Sequence, residues 1–182
     1  MKSLKSIIVT TIILTLICGI AAAGLAFTND LTADKIEKLA QETEEKAMKR
    51  VISADSYEKN TVELNGEHEY YTAKSGGETV GYIFIVSTNG YGGAVKVMTG
   101  IGADGKIIAV EVLDASNETP GLGQNVTRKS FWEQFKGKSG ALTVKQDIEP
   151  VTGATISSKA VTQSVNDALE MYNVIKEDGN NG

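Results

Sequence analysis

The sequence predicts an α+β protein, with one N-terminal transmembrane helix followed by a single domain in which a mainly antiparallel sheet is packed by helices. Three observations predict it. A long uncharged run opens the chain, turn-bounded apolar runs fill its middle, and helix-periodic apolar residues close it. At 182 residues the chain is long enough for one domain with a core, plus attachments. Hydrophobic residues make up 41% and charged residues 23%, a composition that argues against disorder.

The first element is the run from Ile7 to Phe27, about 21 residues without a charge, the length a helix needs to cross a bilayer. Lys2 and Lys5 precede it, and Asp30 and Asp34 follow it. The positive-inside tendency then places the N-terminus in the cytoplasm and the remainder outside the cell membrane, as a single-pass protein. A cleaved signal peptide is the competing reading, because Ala21-Ala22-Ala23 supplies small residues for a peptidase. The apolar run continues through Gly24, Leu25, Ala26 and Phe27, which favours a retained anchor. Bulky Ile17 before Cys18 disfavours a lipoprotein. Residues 1–29 are thus the anchor.

Residues 30–55 read as a helical stalk, with Leu31, Ile36, Leu39, Ala40, Met48 and Val51 among charged residues; the alternative is the first helix of the domain. Glu42 before Lys46 and Glu45 before Lys49 suit a solvated helix face. The domain is expected over 56–178, and its texture is that of strands. Tyr70–Ala73, Val80–Val86, Ala94–Ile101 and Lys106–Leu113 predict an antiparallel sheet of three or four strands. The last two are joined by Ala103-Asp104-Gly105, a good hairpin signal. Arg128 to Lys136 predicts a short amphipathic helix carrying Phe131, Trp132 and Phe135, and Leu142-Thr143-Val144 a short strand. The final helix runs from Ile156 to about Lys176, with Val161, Val165, Leu169 and Tyr172 on one face. A polar, flexible tail is expected at 179–182.

Several classes of chemistry are excluded by count. Cys18 is the one cysteine and His68 the one histidine, so no disulfide, iron–sulfur cluster or histidine metal site is expected. The net charge is −5, and no basic patch points to nucleic acid. Redox chemistry in such a chain requires an organic cofactor.

Two stretches stand out from packing sequence. Val151-Thr152-Gly153-Ala154-Thr155-Ile156-Ser157-Ser158 lies at the start of the final helix, where backbone N–H groups lack intrahelical partners and the helix dipole favours a phosphate. A hydroxyl here either holds a phosphate or is esterified by one; the plain alternative is that Thr155 and Ser158 are helix caps. The second stretch, Asn117-Glu118-Thr119-Pro120-Gly121-Leu122-Gly123-Gln124, is a rigid loop suited to covering a flat ring, or a simple connection.

Taken together, Thr152-Gly153-Ala154-Thr155 and Glu118-Thr119-Pro120-Gly121-Leu122-Gly123 resemble the FMN-binding domain of the G subunit of the Rnf electron transport complex, and of the related C subunit of the sodium-translocating NADH:quinone reductase. The anchor, Gly90-Tyr91-Gly92-Gly93, Asp104-Gly105 and the Phe131-Trp132…Phe135 helix follow the same order. The likeness covers nearly the whole chain and is most specific over residues 90–160. It departs where Glu149 stands for a frequent Asp, with Asp147 nearby, and where Thr152 stands for a frequent Ser.

The resemblance implies FMN as the cofactor, attached through its phosphate to Thr155 by a flavin transferase that uses FAD. It implies that Thr152, Gly153, Ala154, Ser157 and Ser158 surround the phosphate, while Glu118, Thr119, Gly121 and Leu122 line the flavin. The expected role is a membrane-anchored flavoprotein subunit that relays electrons, with other membrane and peripheral subunits, in an ion-translocating ferredoxin:NAD oxidoreductase. No independent catalytic site is expected. The span holds no carboxylate, so ion conduction falls to other subunits. The alternatives are the C subunit of the quinone reductase, an independent flavinylated surface protein, and an anchored scaffold or binding domain without cofactor.

Overall fold

The structure, a computed structural model, describes residues 2–180. It falls into two units that divide between Thr43 and Glu44. The first consists of a single helix, α1, which continues into the second unit and spans Lys2–Val51 in all. Within it, Leu4–Ala33 is long and apolar enough to cross a membrane, with none of its side chains buried inside the protein. The hydroxyls of Thr10, Thr11 and Thr28 donate to the carbonyls four residues before them, so these polar groups are satisfied without water. The helix fits a single-pass membrane anchor.

The second unit opens with the last two turns of α1, where Ala47, Met48 and Val51 become buried together with Ile52. Five strands follow: β1 Ser56–Glu63, β2 Glu67–Ser75, β3 Glu78–Asn89, β4 Ala94–Gly102 and β5 Ile107–Asp114. Each pairs antiparallel with the next, giving the sheet order β1-β2-β3-β4-β5. Local chemistry explains this meander. Gly76 and Gly77 both have positive φ, the backbone a tight two-residue hairpin between β2 and β3 needs. The β4–β5 turn is held by the Asp104 carboxylate, which accepts from the Lys106 N–H at 3.1 Å.

The sheet has one strand more than expected. The additional strand is β1, an edge strand whose side chains are mostly exposed and which therefore lacks alternating apolar residues. Its turn signal is present in Asn65-Gly66, both at positive φ. The strand expected at Leu142–Val144 does not form. Residues 142–148 make a turn with an isolated bridge between Val144 and Ile148.

After β5 come a 3-10 turn at Gly123–Thr127, the short helix α2 at Lys129–Trp132, and a second 3-10 turn at Glu133–Phe135. Phe131 and Phe135 meet edge to face at 5.8 Å and are buried. The final helix, α3, runs Thr155–Asn180. The helix takes in residues 179 and 180 of the expected tail, and residues 181 and 182 lie outside the described residues.

Both faces of the sheet are covered. On one, Val95, Val97 and Ile101 of β4 pack with Val161, Val165 and Leu169 of α3 and with the two Phe side chains. On the other, Met98 and Ile83 pack with the end of α1. Fully burying a side chain of this kind contributes about 1.5–3 kcal/mol, so β4, buried on both faces, anchors the unit. The close approach of α1 depends on missing side chains. A Cβ on Gly100 would lie 2.4 Å from Val51 Cγ1, and one on Gly81 would lie 2.9 Å from Ile52 Cδ1. Arg50 bonds both carboxylate oxygens of Glu111, and Lys96 pairs with Glu44, at the edges of this contact.

Candidate functional site

Three segments meet at the N-terminus of α3: the loop between β3 and β4, the loop after β5, and the first turn of the helix. Glu118 joins them. It is 1% exposed, and its partners come from both other segments. Oε1 accepts from the Gly92 N–H at 3.0 Å, and Oε2 accepts from the Ser157 hydroxyl at 2.5 Å. The N–H groups of Tyr91 and Gly93 also face the carboxylate. Burial alone would push its pKa up, but these donors together outweigh burial and hold it below the usual carboxylate range. Space for the group is made by glycine. A Cβ on Gly90 would lie 2.2 Å from Glu118 Oε1, and one on Gly123 would lie 2.4 Å from Oε2.

The loop after β5 reaches α3 a second way. Gly153 has a φ of 76°, and Leu122 Cδ2 occupies the space where a Cβ would stand, 2.6 Å away. Leu122 therefore lies directly on the backbone before the helix.

The first turn of α3 is organised by Ser158 rather than by Thr155. The Ser158 hydroxyl accepts from the Val151 N–H at 3.0 Å and donates to the Ala154 carbonyl at 2.9 Å. The first helical backbone bond runs from Ser158 N–H to Ala154 carbonyl, so the N–H groups of 155–157 stand ahead of it. Thr155 is the first helical residue, and its hydroxyl forms no hydrogen bond among the described residues. It caps nothing.

Thr155 stands between two clefts. The first, about 570 Å³, is lined by Tyr91, Glu118, Thr119, Leu122, Gly123, and residues 153–157. The second, about 410 Å³, is lined by residues 142–145 and by Thr155, Lys159, Thr162, Gln163 and Asn166. Its wall is clamped by Asn166, whose side chain exchanges two 2.9 Å hydrogen bonds with the Leu142 backbone. The clefts differ in charge: Glu118 is the one carboxylate lining the first, while Lys145 and Lys159 line the second.

Of the residues singled out in the sequence, Glu118, Thr119, Leu122, Gly153, Ala154, Thr155 and Ser157 share the first cleft. Thr152 is exposed and opens instead on a shallow depression with Arg128 and Glu149. Ser158 points into the protein, and Gly121, at φ 73°, shapes the loop without lining the cleft. Asp147 closes its own turn, accepting from the Thr143 N–H at 2.8 Å. Sequence reasoning missed Tyr91 and Ile156 as cleft residues. Both belong to stretches it had marked, but their exposure is visible only in the fold.

Among the described residues of the second unit, the large exposed hydrophobic side chains are Tyr91 at 72%, Leu122 at 44% and Ile156 at 52%, and all three line the first cleft. Apolar surface gathered at one place beside this hydroxyl makes the first cleft the candidate binding site.

Residues 90–170 match the model of the FMN-binding domain, which defines the class of protein. Residues 1–51 match that of the RnfG N-terminal region. The chain is 38% identical over 180 residues to the G subunit of the proton-translocating ferredoxin:NAD(+) oxidoreductase complex of Clostridium ljungdahlii, covering 93% of each. It is also 38% identical to the G subunit of the Na(+)-translocating ferredoxin:NAD(+) oxidoreductase complex of Acetobacterium woodii, covering 88% of this chain and 89% of that one. The chain belongs to this family, the G subunits of ion-translocating ferredoxin:NAD(+) oxidoreductase complexes. In fold it is similar to the crystal structure of the C subunit of Na(+)-translocating NADH-quinone reductase from Parabacteroides distasonis, with a TM-score of 0.50 and 24% identity over 60% of this chain and 62% of that one.

Proposed function

We propose that this protein is the membrane-anchored flavoprotein subunit of an ion-translocating ferredoxin:NAD oxidoreductase and carries FMN as a phosphoester on Thr155. One observation carries the reading: the exposed large hydrophobic side chains among the described residues of the second unit converge on a single cleft beside the Thr155 hydroxyl, which forms no hydrogen bond among the described residues.

The residues fit the group. A cleft of about 570 Å³ is within the range of small-ligand sites. Tyr91, Leu122 and Ile156 offer apolar surface to a flat ring system, with Thr119 at the same rim. The N–H groups of 155–157 and the positive end of α3 suit the phosphate, and Gly153 and Ala154 leave the backbone accessible there. Ser157 and Ser158 support this turn from beneath through Glu118 and Val151. Thr152 and Gly121 stand outside the cleft. Bound FMN accepts and donates one or two electrons, which lets it join one-electron and two-electron carriers.

Loading forms a bond between Thr155 Oγ and the FMN phosphorus and breaks the pyrophosphate of FAD. AMP leaves, and the threonine proton is lost. A separate flavin transferase supplies this step. A covalent tether has a physical use on the outer side of the membrane, where a dissociated cofactor is lost. Lys2 and Lys5 before the span support an N-terminus in the cytoplasm and a flavin domain outside. Electron donors, acceptors and the ion path belong to the other subunits.

The test is the intact mass of the denatured full-length chain after co-expression with a flavin transferase, beside Thr155→Ala. The expected result is a gain of one FMN less one water, absent from Thr155→Ala. A bare-chain mass in both, with the transferase active on another substrate, overturns the covalent assignment and leaves an anchored domain without a tethered flavin.

A further inference from the structure

Glu118 is a buried carboxylate whose partners, the Ser157 hydroxyl and backbone N–H groups of the 91–93 loop, are all neutral donors. Burying such a group is costly, and a chain that only needed to join three segments has less expensive means in apolar contacts. Here the surroundings are built around the charge. Three backbone N–H groups converge in a loop that wraps an anion, and Gly90 and Gly123 both forgo a side chain to admit its oxygens. The carboxylate lines the first cleft, on the side of Thr155 away from Lys145 and Lys159. Thr155 lines both clefts, one carrying the carboxylate and the other the two lysines.

We propose that Glu118 is a positioning and potential-setting residue: it fixes the cleft by joining Gly92 to Ser157, and its charge holds a flavin tethered at Thr155 at a low reduction potential. The inference rests on the flavin reading above and deepens it. Each electron that enters the ring adds a negative charge unless a proton from solvent accompanies it. A fixed charge buried in the cleft wall opposes that addition more strongly than the same charge surrounded by water. Ser157 acts through Glu118, because its hydroxyl withdraws part of the carboxylate's charge from the cleft.

The experiment uses the full-length chain, loaded by a flavin transferase, as wild type, Glu118→Gln and Ser157→Ala. Intact mass first establishes that flavin is attached; a bare wild-type chain refutes the flavin reading, and this inference with it. Reductive titration against redox dyes at about pH 8, where a carboxylate is ionised, then gives the midpoint potentials. Glu118→Gln, which keeps the shape and removes the charge, is expected to shift the midpoint to more positive values. Ser157→Ala, which keeps the charge and strips a donor from it, is expected to shift it to more negative values. A role confined to holding the cleft together moves both in the same direction. Flavin-loaded Glu118→Gln at the wild-type potential, or equal-signed shifts in the two variants, overturns the proposal. Should Glu118→Gln fail to fold, an unchanged or positive shift in Ser157→Ala overturns it by itself.

Discussion

The Ser157 hydroxyl donates to Glu118 Oε2 at 2.5 Å across 39 positions of sequence, and both side chains are buried. This one bond fastens the loop after β5 to the first turn of α3. Ser157→Ala leaves a buried anion one donor short, a loss worth about 1–3 kcal/mol. The urea midpoint of the flavin-free chain is expected to fall accordingly, and a midpoint equal to the wild type would show that the bond contributes nothing.

The same carboxylate makes stability depend on pH. Its pKa is lower in the folded chain than in the unfolded one, where a glutamate titrates near about 4.3. The stabilisation is therefore complete above that value and is lost as the pH falls through the folded one. Acid unfolding of the wild type is expected to be steeper below about pH 4 than that of Glu118→Gln, followed by circular dichroism. Parallel acid profiles for the two chains would contradict this.

Gly100 allows the end of α1 to lie on the sheet. A Cβ there would lie 2.4 Å from Val51 and 2.9 Å from Ile52 Cγ1, both in the apolar layer between helix and strands. Gly100→Ala is expected to cost about 1–3 kcal/mol as an overpacked contact. A lowered melting temperature, with faster amide exchange at 47–52, is the signature to look for.

Leu122 and Ile156 carry apolar surface that the fold leaves exposed. Replacing Ile156 with Ser is expected to change the stability of the flavin-free chain by no more than about 0.5 kcal/mol, as for a surface site. In the flavin-loaded chain, on the proposed placement of the ring, it removes one wall of the cleft. Iodide is then expected to quench the flavin fluorescence more strongly than in wild type. Unchanged quenching would place the ring elsewhere, with the second cleft the next candidate.

Asn166 holds the wall of that second cleft through paired bonds to Leu142. Asn166→Ala leaves both Leu142 backbone groups without their partner, which costs about 1–3 kcal/mol for each one shielded from water. Hydrogen exchange at Leu142 is expected to accelerate while β4 stays protected. Loss of protection throughout would mean that the loop and the core unfold together.

Much of the fold was legible in sequence because its signals are local. Asp104-Gly105 and Gly76-Gly77 announce hairpins through the backbone they permit, and Val161, Val165 and Leu169 recur at the helical period. β1 was missed because one exposed edge needs no apolar alternation, although Asn65-Gly66 carried the turn. Leu142–Val144 looked like a strand from its composition; its backbone bonds go instead to Asn166 and to its own turn.

The apolar span, the hairpin positions, the buried face of α3 and the place of Thr155 at a helix start can all be read along the chain, since each depends on residues within a few positions of one another. Folding alone brings Gly92, Glu118 and Ser157 together, gathers Tyr91 and Ile156 into one cleft with Leu122, and sets Thr155 between an anionic cleft and a cationic one. The bonds from Glu118 to Gly92 and Ser157 span 26 and 39 positions. Such contacts arise when the sheet and α3 bury a common core, a step that leaves no periodic trace in the chain.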